Sequence, residues 1–112
     1  MAELNAEMQE KVQKLSMIEQ QMTSFLSQKQ TFQAQLMEID SALEELEKTD
    51  KAYRIIGNVM VASDKPALKL DLTHKRETAE LRLKSLENQE EKLRSKAAEL
   101  QNEVLKHIKE KQ

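Results

Sequence analysis

Apolar residues recur along the first half of the chain with a seven-residue period. Met1, Met8, Leu15, Met22, Lys29, Leu36 and Leu43 form one row (position a), and Leu4, Lys11, Ile18, Phe25, Phe32, Ile39 and Leu46 the other (position d). Twelve of these fourteen are apolar. A 3.5-residue repeat keeps one seam turned toward a partner helix, so the pattern predicts a coiled-coil helix. The helix is placed within residues 1–49, and its span 2–48 would form a rod of roughly 70 Å. The residues between the rows are mostly Gln, Glu, Ser and Ala, which a helix tolerates. Lys11 and Lys29 interrupt the seam. Either they set its register and snorkel outward, or they meet an acidic partner.

The period changes within residues 52–63, which read Ala-Tyr-Arg-Ile-Ile-Gly-Asn-Val-Met-Val-Ala-Ser. β-Branched residues gather here around Gly57-Asn58. Glycine at the first central position suits a type II′ two-residue turn. The expected strands are Tyr53–Ile56 and Val59–Ala62, pairing Ile56 with Val59, Ile55 with Met60 and Arg54 with Val61. Both faces of this hairpin carry apolar side chains. A lone two-stranded ribbon is marginal in water, and its two edges are open. Pairing with hairpins of other chains follows, through Tyr53, Ile55, Ile56, Gly57, Val59, Met60 and Val61.

A second helix is expected over 64–112, with Asp64 at its N-cap and Pro66 tolerated in its first turn. Its seam is weaker. Arg76, Leu83, Glu90, Ala97, Val104 and Lys111 take one row, and Leu72, Ala79, Leu86, Leu93, Leu100 and His107 the other; eight of the twelve are apolar. Leu81-Arg82-Leu83 is read into the stripe, and Ile108 extends it. Glu80–Lys84 and Glu90–Arg94 are read as flanking pairs four residues apart. The fold class is therefore mainly α: a long antiparallel two-helix coiled coil joined by a single β-hairpin. Folding about residue 59 sets residue i opposite about 118 − i. Leu15 then meets the region of Glu103 and Val104, and Leu43 that of Lys75 and Arg76.

Composition supports this reading. One Gly and one Pro in 112 residues cannot punctuate a many-element fold, and three aromatics cannot fill a broad core. Residues 1–50 hold ten acids and four bases, and the remainder ten acids and fourteen bases. The two halves attract each other and copies of one half repel, which favours a chain folded back on itself. The net charge of −2 gives no pull toward nucleic acid or an anionic membrane. Met1-Ala2-Glu3-Leu4-Asn5 does not read as a secretory leader, and no apolar run approaches the roughly 20 residues of a membrane span. A cytoplasmic location is expected.

Catalytic chemistry is not in view. The chain has no Cys, no Gly-rich phosphate loop and only two histidines, His74 and His107, both read as solvated. No enzyme, metal or cofactor is expected, and no pocket on a two-helix rod. The end where the termini meet carries Met1, Leu4, Met8, Val12 and Met17 on one helix and Val104, Leu105 and Ile108 on the other. Val12, Met17 and Leu105 lie outside the narrow seam. Two readings stand: ordinary variation along an amphipathic helix, or a soft apolar patch for promiscuous binding of unfolded chains.

Helix, single hairpin, helix resembles a beta-type prefoldin subunit of the archaeal-like kind. The resemblance covers essentially the whole chain as a single domain. It is carried by Gln28-Lys29-Gln30, Ala42-Leu43-Glu44-Glu45-Leu46, Ala52 to Val61 with its Tyr-x-x-x-Gly-x-x-x-Val pattern, Leu81-Arg82-Leu83, Leu86-Glu87-Asn88-Gln89-Glu90-Glu91 and Glu99-Leu100-Gln101. Asp64-Lys65-Pro66-Ala67 departs from the proline-free helix start usual in the family. Alpha-type subunits resemble this plan with two hairpins.

The resemblance implies a hetero-hexamer of two alpha-type and four beta-type chains, whose hairpins form a β-barrel platform. It implies an ATP-independent chaperone that holds unfolded proteins at the coiled-coil tips. Clients would pass to a cytosolic group II chaperonin, docking near Glu3, Glu7 and Glu10. Client contacts would fall on Met1, Leu4, Met8, Val12, Met17, Val104, Leu105 and Ile108. The competing reading is a structural or tethering coiled coil with one fixed partner, which leaves the hairpin without a role.

Overall fold

The computed structural model describes residues 5–110. Helix α1 spans Ala6–Glu47, strand β1 Ala52–Ile56, strand β2 Val59–Ser63 and helix α2 Lys65–Glu110. Two compact units result. One comprises the described residues up to Lys29 and from Ser85 onward, and the other Gln30–Lys84.

The described part of helix α1 opens at Ala6. The Asn5 side-chain carbonyl accepts the Met8 amide at 2.8 Å, and its backbone carbonyl accepts that of Gln9 at 3.0 Å. Asn5 is thus the N-cap. The expected start at residues 1–4 lies outside the described residues. At the other end the Lys48 and Thr49 amides return to Glu45 and Leu46, tightening the last turn. Thr49 Oγ1 then accepts the Lys51 amide at 3.2 Å, a local turn that delivers the chain to β1.

The seam of α1 follows the heptads residue by residue. From Met8 to Leu46 every position of the two rows is buried or half-buried, and the intervening residues are exposed apart from Ala42. In α2 Ala79, Leu86, Glu90 and Leu100 are buried, with Leu72, Leu83, Leu93, Ala97, Val104 and His107 half-buried. Leu81 is 69% exposed, so it does not belong to the stripe: it falls on the helix face opposite the seam. Asp64 holds the N-cap position of α2, its carbonyl accepting the Leu68 amide at 2.9 Å. Pro66 sits in the first turn, where its missing N–H breaks no helical bond.

The hairpin keeps the expected register and adds one pair, Ala52 with Ser63. Gly57 has φ +61°, and no other described residue has a positive φ. Only the first central residue of the turn is left-handed, which defines type II′.

Candidate functional site: seam charges and an exposed hairpin

In the unit of the chain ends, lysines of α1 meet glutamates of α2. Lys11 Nζ lies 2.7 Å from Glu103 and 3.6 Å from Glu7. Lys29 Nζ donates to Glu90 Oε1 at 3.2 Å, and Arg94 donates to the same oxygen at 3.3 Å. The two lysines that break the heptads are therefore answered within the chain. Glu90 is no flanking residue: it is 9% exposed and lies in the seam, because Lys29 opposite it compensates its burial.

In the unit of the hairpin the signs reverse. Asp40 and Glu47 of α1 meet Arg76, at 3.1 Å, and Lys69 of α2. Arg76 also takes Glu80 at 3.3 Å, the pair expected instead with Lys84. Arg82 lies 5.9 Å from the centre of the Phe32 ring. Most of the charge asymmetry between the halves resides here, with six acids and one base in residues 30–50 and four acids and eight bases in 51–84. All four cross-helix pairs fall within about one turn of the offset from folding about residue 59. The bond from Lys69 holds the Glu47 carboxyl below its usual range, and the bond to Glu103 raises the Lys11 ammonium.

The hairpin is apolar and uncovered. Ile55 is 73% exposed and Val61 43%, with Tyr53, Ile56, Val59 and Met60 between these limits. Its one charge is Arg54, which donates to Ser63 Oγ and to Asp71 Oδ2, each at 3.2 Å. The Arg54–Asp71 pair did not emerge from the heptads, although a lone charge among apolar strand residues signals that an acid must answer it.

Among the proposed client residues, Val12, Met17 and Leu105 are exposed, and Val104 and Ile108 half-buried. Met8 is 5% exposed and packs in the seam. Met1, Leu4 and Glu3 lie outside the described residues. Glu7 and Glu10 are exposed, each beside a lysine four residues on at 3.6 Å. His74 is solvated as expected. His107 is not: it occupies the seam, and its Nε2 is buried without a hydrogen-bond partner.

Grooves do form, against the expectation of none. One, about 670 Å³, is open to solvent and lies between Phe32, Ile39 and Ala42 on one side and Leu72, Ala79 and Arg82 on the other. Small Ala42 and Ala79 leave that space. Among the described residues no group of three or more acids or histidines is placed to hold a metal ion, and no helix is long and apolar enough to cross a membrane.

Two long heptad helices, paired by ion pairs and joined by one hairpin with exposed apolar side chains, define a coiled-coil subunit. A family profile described as "Prefoldin subunit" matches residues 9–111. The prefoldin subunit beta of Archaeoglobus fulgidus is 38% identical over 107 residues, covering 93% of this chain and 92% of that protein. That of Methanospirillum hungatei is 33% identical over 111 residues, covering 96% and 92%. The crystal structure of the prefoldin beta subunit from Thermococcus strain KS-1 superposes with a TM-score of 0.84 at 34% identity, covering 93% and 94%. The chain belongs to the prefoldin family, as a beta-type subunit. Its role is accordingly that of a chaperone subunit acting in a complex with other prefoldin subunits.

Proposed function

We propose that the chain is a single prefoldin-like domain that joins an alpha-type subunit and further beta copies in a hetero-hexamer. The hairpins build its β-barrel platform. The assembly holds unfolded proteins in the cytoplasm without ATP, enzymatic chemistry or a cofactor, and passes them to a group II chaperonin. The observation that carries this reading is the hairpin: an ordered type II′ ribbon whose large apolar side chains are all exposed. Such a surface is stable in water only when other chains cover it.

Clients differ, so each contact should be shallow, with avidity over several subunits replacing a shaped pocket. Val12, Met17 and Leu105 supply exposed apolar area near the chain ends, and Met8, Val104 and Ile108 would add to it on fraying of the helix ends. Glu7 and Glu10, with Glu3, would meet a basic chaperonin surface. Charge reversal at all three is expected to weaken chaperonin binding and leave client holding intact.

The test is light scattering of a client diluted from denaturant, without ATP. The chain assembled with an alpha-type subunit is compared with a version lacking residues 1–12 and 104–112. The intact complex is expected to suppress scattering, and the trimmed one to assemble to the same subunit count without suppressing it. If both assemble and neither suppresses scattering, the holding role is refuted.

A further inference from the structure

The hairpin contains a single charged residue, Arg54, and the structure shows what that charge is for. Arg54 lies on β1 opposite Val61, on the face that also carries Ala52 and Ser63. Its guanidinium points in two directions. Nε reaches Ser63 Oγ at the end of β2, and Nη1 reaches Asp71 Oδ2 in the second turn of α2. Asp71 also receives Lys75 at 3.5 Å, so its carboxylate bridges a strand residue and the next turn of its own helix. One side chain of β1 thus ties together the far end of β2 and the helix that follows it.

Apolar packing on the same face cannot do this alone. Ala52 is buried at the base of the hairpin, but Val61, Val59 and Ile56 on that face remain exposed toward the turn. The hairpin leaves the helices with its base held and its outer part uncovered. An arginine fits the task because its planar fork bonds two partners at fixed angles, whereas a lysine offers a point charge to one.

We infer that Arg54 is a positioning residue for assembly: with Asp71 and Ser63 it sets the angle at which the hairpin leaves α2, and so the pose in which the exposed strands meet those of neighbouring subunits. This rests on the proposed assembly through the hairpins and adds a requirement to it. The strands must be presented in one orientation, and an ion pair rather than a hydrophobic contact fixes that orientation.

The test uses two readouts on the same variants. The first is amide hydrogen exchange across residues 52–63 in the chain by itself. Arg54→Ala is expected to speed exchange of the strand amides by roughly three- to tenfold. The helical circular dichroism stays unchanged. The second is assembly with an alpha-type subunit, measured by native mass spectrometry over a dilution series. Arg54→Ala should weaken assembly by a similar factor, and Arg54→Lys by less. The exchanged pair, Arg54→Asp with Asp71→Arg, should recover part of what either single reversal loses, since it restores the ion pair without the bond to Ser63. Parental exchange rates and parental assembly in Arg54→Ala would overturn the inference, as would an exchanged pair no better than the worse single variant. If the parental chain fails to assemble with any alpha-type subunit, it is the functional reading that falls. Parental assembly with unaltered variants removes only the role of Arg54.

Discussion

The helices and the hairpin treat their apolar residues in opposite ways. Along α1 the seam positions are covered and the outward positions are mostly Gln, Glu and Ser, with Val12, Met17, Leu26 and Met37 the large apolar exceptions. In the hairpin the apolar side chains are the exposed ones, and the single charge is turned toward α2. The helices are therefore satisfied by each other within one chain, whereas the hairpin is ordered but uncovered. The contrast separates what stabilises the subunit from what the proposed assembly would use, and mutations in the two regions should have separable consequences.

The largest effect is expected in the hairpin. Ile55→Asp places a carboxylate on its most exposed large side chain and should abolish assembly with an alpha-type subunit while leaving the helical circular dichroism intact. Retained assembly on gel filtration would break the comparison. Next comes the seam. Leu86→Ala empties a buried position and should lower stability by about 2–4 kcal/mol in urea unfolding, with assembly recovered at low urea.

A smaller loss follows from Lys29→Ala, which leaves Glu90 buried with Arg94 alone and should cost about 1–3 kcal/mol. Replacing both partners, Lys29→Leu with Glu90→Leu, should return stability to the parental level or above it, since an apolar pair needs no desolvation of charge. A double variant as weak as the single one would show that the ion pair itself, and not the relief of a buried charge, supports the seam.

The smallest effects are those of pH. Lys69 depresses the Glu47 carboxyl, so its contribution is present above the ordinary carboxylate range and fades as pH falls through the lowered value. Glu103 raises the Lys11 ammonium, so that contribution is present below the ordinary lysine value of 10.5 and fades as pH rises through the raised one. The Glu47–Lys69 pair is exposed and the Lys11–Glu103 pair half-buried, and both are charged across the neutral range, so the urea midpoint should be nearly flat between about pH 5 and 9 and decline only beyond it. A sharp transition near neutrality would contradict this.

The fold was largely legible because two kinds of periodicity dominate it. The heptads mark every covered position of α1 but Ala42, and Gly57-Asn58 marks both turn type and register. The pairing partners of single charges were harder to read. Lys29 and Glu90 both stand out as charges in apolar rows, and folding about residue 59 sets them nearly opposite. Within one helix, however, Glu90 looks like the partner of Arg94, and the cross-helix bond becomes visible only when both rows are considered together. Leu81 was misplaced because a run of Leu-Arg-Leu offers two leucines to a stripe that takes only one. At the chain ends the heptads mark Met8 as apolar without saying that its neighbours cover it. Asn5 was missed as a cap because Met1 and Leu4 continue the repeat beyond it.

The reversal of sign between the two sets of cross-helix pairs has a kinetic consequence. Glu47 and Lys69 are separated by little more than the hairpin, so their contact closes a short loop. Lys29 and Glu90 lie 61 residues apart, and Lys11 and Glu103 span most of the chain. Loop-closure entropy orders these events, so pairing should nucleate beside the turn and zip toward the termini. If the chain slips while zipping, an acid-to-base pattern slides against a base-to-acid one, and the error raises the energy before the last layers close. The final segment to lock is then the first to reopen, which gives the terminal end the fastest exchange with solvent of any part of the helix pair.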